Sequence, residues 1–152
     1  MTTIENEINQ NGYYVFTVSG ISMMPIIRPG RDLAIIESHQ GRYKVKDAVL
    51  FKRDNGVYVL HRVKKVRDND YIIVGDNSYE NEPVRDDQIL GILTTIKRND
   101  KTIKSTDFWY RVYVAIWTNP VGGRVIVLSI RRVLSFIKRG IKKIVHRNIQ
   151  NS

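Results

Sequence analysis

Residues 48–66 read AVLFKRDNGVYVLHRVKKV, and this stretch decides the fold class. Two runs rich in β-branched and aromatic residues, 48–53 and 57–66, flank the triplet Asp54-Asn55-Gly56. The triplet is the strongest hairpin signal in the chain, because Gly56 can adopt a positive φ. The stretch therefore predicts two antiparallel strands joined by a tight turn.

Further strands are predicted on both sides of this hairpin. Similar residues recur at 13–18, 32–37, 71–74 and 89–97, and such runs are typical of strands. Pro29-Gly30 and Asp68-Asn69-Asp70 lie between them and are typical of turns. We therefore expect a mainly β domain built as a small coiled sheet or barrel.

Three polar residues stand in an order that indicates hydrolase chemistry. Ser22 lies in the segment GISMMP (residues 20–25), His61 lies within the second strand of the hairpin, and Asp76 follows in Gly75-Asp76-Asn77. A serine hydroxyl is a poor nucleophile until a base takes its proton. A histidine can be that base, and a carboxylate can orient the imidazole.

Four motifs resemble the superfamily of signal peptidase I and the SOS-repressor (LexA-like) serine peptidases. They lie at residues 20–25, 46–51, 61–63 and 75–77, and the resemblance covers residues 13–96. Most bacterial members use a Ser-Lys dyad, whereas the endoplasmic-reticulum and archaeal signal peptidases have histidine in place of the lysine. With His61 at that position, the chain is similar to the histidine-base type.

The resemblance implies a serine endopeptidase with Ser22 as nucleophile and His61, 39 residues later, as general base. Asp76 ranks first as the acid that orients the imidazole. Histidine-using members take their third residue from a few positions beyond the Gly-Asp-Asn turn, where this chain has Glu80 and Glu82. Glu82 ranks second, and the choice between Asp76 and Glu82 stays open.

Two lysines follow His61 closely and bear on the choice of base. Lys64 is offset from His61 by an odd number of residues, so in a regular strand it faces the opposite side. Lys65 remains a distant alternative to His61.

The resemblance also implies an extended substrate along a strand edge, with small side chains before the cleaved bond. The predicted substrate-binding residues are Gly20, Met23, Met24 and Pro25. Apolar residues after the serine could equally be plain core. The oxyanion needs preorganised donors, and the backbone N–H groups around Ser22 and Met23 are the predicted ones.

Charge divides the chain unevenly. The protein has 152 residues, no cysteine and a formal net charge of +10, yet nine basic residues and no acid lie from Phe108 onward. We predict a polar N-terminal segment (1–12), a peptidase domain (13–107) and a basic helical extension (108–152). Without cysteine, and with scattered histidines, neither a metal nor another cofactor is expected.

Residues 124–147 predict a basic amphipathic helix, since apolar residues recur at helical spacing and basic residues occupy the remaining face. Such a helix can lie on an anionic membrane or pack on the domain or on a partner. Nucleic-acid binding is not expected, because the basic residues of the helix are not interleaved with stacking aromatics. No N-terminal signal or anchor is visible, so the predicted location is cytoplasmic, with peripheral contact at the inner face of the membrane as an option.

The predicted activity is limited proteolysis, in the form of leader or signal-type peptide removal or peptide maturation. The alternative is a non-catalytic peptide-binding or adaptor module that retains the peptidase fold.

Overall fold

The computed structural model describes residues 3–118 of the chain. The chain divides into two compact units, residues 1–114 and 115–152, and the packing below is that of the first unit. The helices are α1 (Ile4–Asn11) and α2 (Phe108–Trp117), with a short 3-10 helix at Asp86–Gln88. The strands are β1 (Tyr13–Thr17), β2 (Asp32–Glu37), β3 (Ala48–Lys52), β4 (Tyr58–Val66), β5 (Asp70–Val74), β6 (Glu82–Arg85), β7 (Ile89–Arg98) and β8 (Lys101–Lys104).

These strands form one antiparallel sheet in the order β1-β2-β7-β3-β4-β5-β6, with β8 paired to β7. The prediction of a mainly β domain is confirmed, and within residues 3–118 the sheet stays open rather than closing into a barrel. No helix in this part of the chain is long and apolar enough to cross a membrane.

The predicted hairpin is present as β3 and β4, with Ala48 opposite Arg62 and Lys52 opposite Tyr58. Gly56 adopts a φ of 83°, as the turn requires. The Val57 N–H donates to Asn55 Oδ1 at 3.1 Å, so a side chain satisfies the turn backbone. The chemistry of the turn thus sets the register that positions residue 61.

Apolar residues pack against both faces of the sheet. The first core cluster includes Ala34, Ile36, Ala48, Leu50, Leu60, Leu93 and Ile96. The second includes Val49, Phe51, Val63, Tyr71, Ile73 and Val84. Successive residues of β3 therefore alternate between the clusters, as the pleat of a strand demands.

The polar N-terminal segment forms α1, which the sequence analysis did not predict. Its buried Ile8 joins the first cluster. Lys52 and the Tyr58 hydroxyl both donate hydrogen bonds to Glu5, which ties the helix to the hairpin. The bond from Lys52 is the main reason that the pKa of Glu5 falls to about 2.

The basic extension begins with α2. Its buried Tyr110 and Val114 belong to the first core cluster, and Tyr113 packs against that cluster. Residues 108–114 therefore complete the core of the sheet. The predicted helix at 124–147 lies outside the described residues.

Candidate active site

Ser22 lies in the loop between β1 and β2, residues 18–31, which we call the serine loop. The Met24 N–H donates to the carbonyl of Ile21 at 3.1 Å, and the Ile27 N–H donates to that of Met23 at 3.0 Å. Met23 and Ile27 are fully buried. These two anchors hold the loop and leave Ser22 half-buried at the surface.

The predicted substrate-binding residues divide by burial. The Met23 side chain lies in the core, so it is placed where a substrate cannot reach it. Met24 and Pro25, joined by a cis peptide bond, are half-buried, and Gly20 is exposed. Ile21, which the sequence analysis did not select, is 63% exposed directly before the serine.

A buried carboxylate fixes the second half of the serine loop. Asp32 is fully buried and accepts hydrogen bonds from the guanidinium groups of Arg31 and Arg98 and from the Arg28 N–H. Burial raises the pKa of Asp32, but the bonds from Arg31 and Arg98 outweigh it and hold that pKa well below its usual range. Arg98 also donates to the carbonyl of Ile26 at 2.7 Å, which ties the loop to β7.

His61 projects from β4 on the face of the second core cluster. It lies opposite Val49, its ring centroid is 6.1 Å from that of Phe51, and the residue is only 8% exposed. Burial lowers the pKa of His61 below its ordinary value, because a charged imidazole is poorly solvated there. The neutral imidazole can accept a proton, which a general base must do.

Gly75 shows that the structure brings Ser22 and His61 together. A Cβ atom placed on Gly75 would lie 3.0 Å from Ser22 Cβ and 3.1 Å from His61 Nε2. Because both distances are measured from this one Cβ position, Ser22 Cβ and His61 Nε2 are at most 6.1 Å apart. A serine hydroxyl extends from Cβ, and a separation in this range lets it approach the ring nitrogen of the imidazole.

The glycine belongs to the turn that follows β5, Gly75-Asp76-Asn77, which we call the 75–77 turn. The Asn77 N–H donates to the carbonyl of Ser22 at 2.6 Å. The Asn77 side chain donates to the carbonyl of Ile21 at 3.3 Å. The turn therefore supports the serine loop from beneath, and the absence of a side chain on Gly75 allows this close approach.

Asp76 is bonded to side chains of two other elements, and its negative charge also raises the pKa of His61. Its carboxylate accepts two hydrogen bonds of 2.7 Å from Arg62 and one of 3.1 Å from the Tyr113 hydroxyl. Arg62 pairs with Val74 across the sheet, on the face opposite to that of His61. Asp76, ranked first as the orienting acid, is thus held in a buried ion pair with Arg62.

Glu82 lies on the face of His61. The register places Val63 opposite Ile73 and Ile73 opposite Glu82, and Val63 shares a face with His61. The Glu82 carboxylate accepts bonds of 2.6 and 2.7 Å from Arg53. Within residues 3–118, the buried His61 Nδ1 has no hydrogen-bond partner, so the choice of orienting acid stays a prediction.

The neighbouring lysines do not share the face of the imidazole. A β-bulge interrupts the pairing of β4 with β5 between Val63 and Lys65. Lys65 pairs with Ile72 and therefore faces the side opposite His61. The assumption of regular alternation, which kept Lys65 as an alternative base, is wrong beyond Val63. The extra residue of the bulge reverses which face the later residues of β4 occupy. Lys64 is exposed and donates to Asn81 at 3.0 Å.

The open antiparallel sheet thus brings the serine loop and the buried His61 together at the 75–77 turn. The family model described as Peptidase S24-like matches residues 2–96, and the chain belongs to this family. The predicted resemblance is thereby confirmed. The match includes the serine loop, His61 and the 75–77 turn and ends before β8 and α2. No curated protein matches the chain significantly.

Proposed function

We propose that the protein is a serine endopeptidase in which Ser22 is the nucleophile and His61 the general base. The observation that carries the proposal is the convergence of Ser22 Cβ and His61 Nε2 on Gly75, at 3.0 and 3.1 Å from one point. The two residues are 39 positions apart in sequence. Burial of the imidazole keeps it neutral and able to take a proton.

The reaction follows from these two groups. Ser22 Oγ attacks the carbonyl carbon of a peptide bond while His61 Nε2 takes the hydroxyl proton. The tetrahedral intermediate is stabilised by backbone N–H donors, for which we propose those of Ser22 and Met23. The imidazolium returns the proton to the leaving amine, and water, deprotonated by the same imidazole, hydrolyses the ester on Ser22.

Glu82 is the acid that we propose for orienting the imidazole. It lies on the His61 face, and its negative charge raises the pKa of His61, although less strongly than burial lowers it. Asp76 is engaged by Arg62 on the other face. Glu82 would have to leave Arg53 to reach His61 Nδ1, since the pair is closed at 2.6 Å.

The substrate that we propose is an extended peptide, processed by leader or signal-type removal or by maturation. Gly20, Ile21, Met24 and Pro25 lie at the accessible surface around Ser22. They form the proposed contact for the apolar and small side chains on either side of the cleaved bond. The buried Met23 supports this surface from below.

The test is acylation of Ser22 by a serine-directed probe, read by mass spectrometry of the modified peptide. Ser22→Ala should abolish both the adduct and any cleavage of peptide substrates. Ser19→Ala is the matched control, because Ser19 is an exposed serine of the same loop. Unchanged labelling or turnover in Ser22→Ala would remove Ser22 from the mechanism.

A non-catalytic peptide-binding or adaptor module is the second candidate. The observation that favours it is the buried His61 Nδ1, which has no hydrogen-bond partner in the described residues while both nearby carboxylates are bound to arginines. Such a module would bind peptide at the serine loop without forming an adduct. Peptide binding that is identical in wild type and Ser22→Ala, with no adduct, would establish this role.

Peripheral contact with an anionic membrane is the proposed role of the extension. Phe108 and Trp109, at the start of α2, are 70% and 77% exposed, and their rings lie 5.3 Å apart. Nine basic residues and no acid follow from position 108 onward. Aromatic side chains beside basic charge are typical of segments that bind anionic lipid surfaces.

A further inference from the structure

Helix α2 brings two phenol groups to a buried ion pair. The Tyr113 hydroxyl donates to Asp76 Oδ2 at 3.1 Å. The Tyr110 hydroxyl accepts a bond of 3.3 Å from Arg62 Nη1, which also donates to the carbonyl of Lys46 at 2.9 Å. Arg62 and Asp76 are 1% and 2% exposed, so both charges of the pair are buried, and Tyr113 reaches them from a half-buried position.

The ion pair adjoins the candidate catalytic residues on both chain segments. Arg62 follows His61 in β4, and Asp76 follows Gly75 in the 75–77 turn. That turn donates its Asn77 N–H to the carbonyl of Ser22 at 2.6 Å. A path of direct contacts therefore runs from Tyr113 through the turn to the serine loop.

We infer that Tyr113 is a positioning residue for Ser22, acting through Asp76 and the 75–77 turn. The inference rests on the proposed function for its effect on Ser22 reactivity. It assigns part of the site to α2, which lies beyond residues 2–96 of the family match. The helix thereby contributes to catalytic geometry as well as to the core.

Chemistry supports this assignment. Bonds from Arg62 fix the Asp76 carboxylate from one side, and the hydroxyl of Tyr113 fixes it from a separate element. Burial and the charge of Asp76 raise the pKa of Tyr113, so the phenol stays protonated and remains a donor. A hydrogen bond to a buried charged group is among the stronger ones in proteins, and its loss frees the turn to move.

The experiment compares full-length Tyr113→Phe with full-length Tyr110→Phe. Both variants keep the aromatic ring and lose one hydroxyl, but only the first loses a contact with Asp76. We expect hydrogen exchange of the Asn77 amide to accelerate about 10-fold in Tyr113→Phe, beyond any change in global stability. The first-order constant for Ser22 acylation should fall about 10-fold while the probe's binding constant stays unchanged. Tyr110→Phe should change both quantities much less.

The inference would be overturned if the Asn77 amide exchanged at the wild-type rate in Tyr113→Phe. It would also be overturned if the changes in exchange and acylation in the two variants matched their losses of global stability. Failure of the probe to label the wild type would instead count against the proposed function, and the Asn77 exchange would still decide the positioning role. If Tyr113→Phe does not fold, native-state hydrogen exchange of the wild type tests the coupling between α2 and the 75–77 turn. The Asn77 and α2 amides should open in one cooperative event, and independent opening would refute the coupling.

Discussion

Replacing Gly75 by alanine tests whether the close approach of the 75–77 turn assembles the site. The new Cβ would lie 2.8 Å from the Ser22 carbonyl oxygen, 3.0 Å from Ser22 Cβ and 3.1 Å from His61 Nε2. Ordinary contacts begin at 3.4 Å, so the serine carbonyl must retreat by 0.6 Å and the imidazole by 0.3 Å. The backbone atom cannot swing aside as a flexible side chain would, and the serine loop must move.

Both stability and reactivity should respond to this displacement. Overpacking by one methyl group in a well-packed region costs about 1–3 kcal/mol, which lowers the melting temperature by roughly 2–12 °C in a chain of this size. Misplacement of reacting groups by about 1 Å can cost about 100-fold in rate. The shift expected here is somewhat smaller, so Ser22 acylation should slow by roughly 10- to 100-fold.

The assay is the acylation rate of Ser22 under conditions where the variant is fully folded, judged by circular dichroism. Gly20→Ala is the matched control for stability alone, because Gly20 belongs to the proposed substrate contact. In the described part of the chain nothing lies within 4 Å of a Cβ at Gly20, and its φ is not left-handed. Wild-type acylation in Gly75→Ala, or an equal loss of stability in Gly20→Ala, would refute the reasoning.

Acylation of Ser22 should rise with pH as His61 loses its proton, with a midpoint below 6.5 because burial lowers the pKa of His61. A rate midpoint above 6.5 would contradict the assignment of His61 as the base. The same pKa shift should destabilise the fold as pH falls from 6.5 through the lowered pKa of His61. Glu82→Gln should slow acylation by about 10²- to 10⁴-fold with little loss of stability. Asp76→Asn should cost about 3–5 kcal/mol of stability, because it leaves Arg62 buried without its partner charge. Equal losses of acylation rate in folded samples of Glu82→Gln and Asp76→Asn would reject Glu82 as the orienting acid. Full-length protein should sediment with anionic vesicles, with binding weakened by salt and by Trp109→Ser, and equal binding to neutral vesicles would exclude the electrostatic contact.

Sequence patterns located the strands well where side chains alternate or are β-branched. The segment Asp32–Glu37 was predicted with its observed bounds, and the hairpin differs by single residues. Strands β6 and β8 were not predicted, because their sequences EPVR and KTIK are short and polar. They are strands because they pair with β5 and β7, respectively. Helix α1 escaped because its apolar face consists of little more than Ile4 and Ile8 in a polar segment.

The pairing of Ser22 with His61 could be anticipated because it rests on motif order. The surroundings of that pair could not, since they depend on which face of the sheet each residue occupies. The bulge beside Lys64 reverses the alternation along β4, and it leaves no clear mark in the sequence. Tyr113 reaches Asp76 from α2, and no local pattern announces a contact between residues 37 positions apart.

His61 and Arg62 are consecutive in the chain, yet the sheet separates their environments. The charge of Arg62 is matched by Asp76 on one face, whereas the pKa of the imidazole on the other face responds first to burial and then to the charges of Glu82, Arg53 and Asp76. The Arg62–Asp76 pair therefore bears on both fold stability and the pKa of His61, whereas the part-exposed Arg53–Glu82 pair acts on that pKa from outside the buried pair. A designer who wants activity to begin only at a higher pH would remove the charge of Arg53, because that charge lowers the pKa of His61, and would leave the Arg62–Asp76 pair intact.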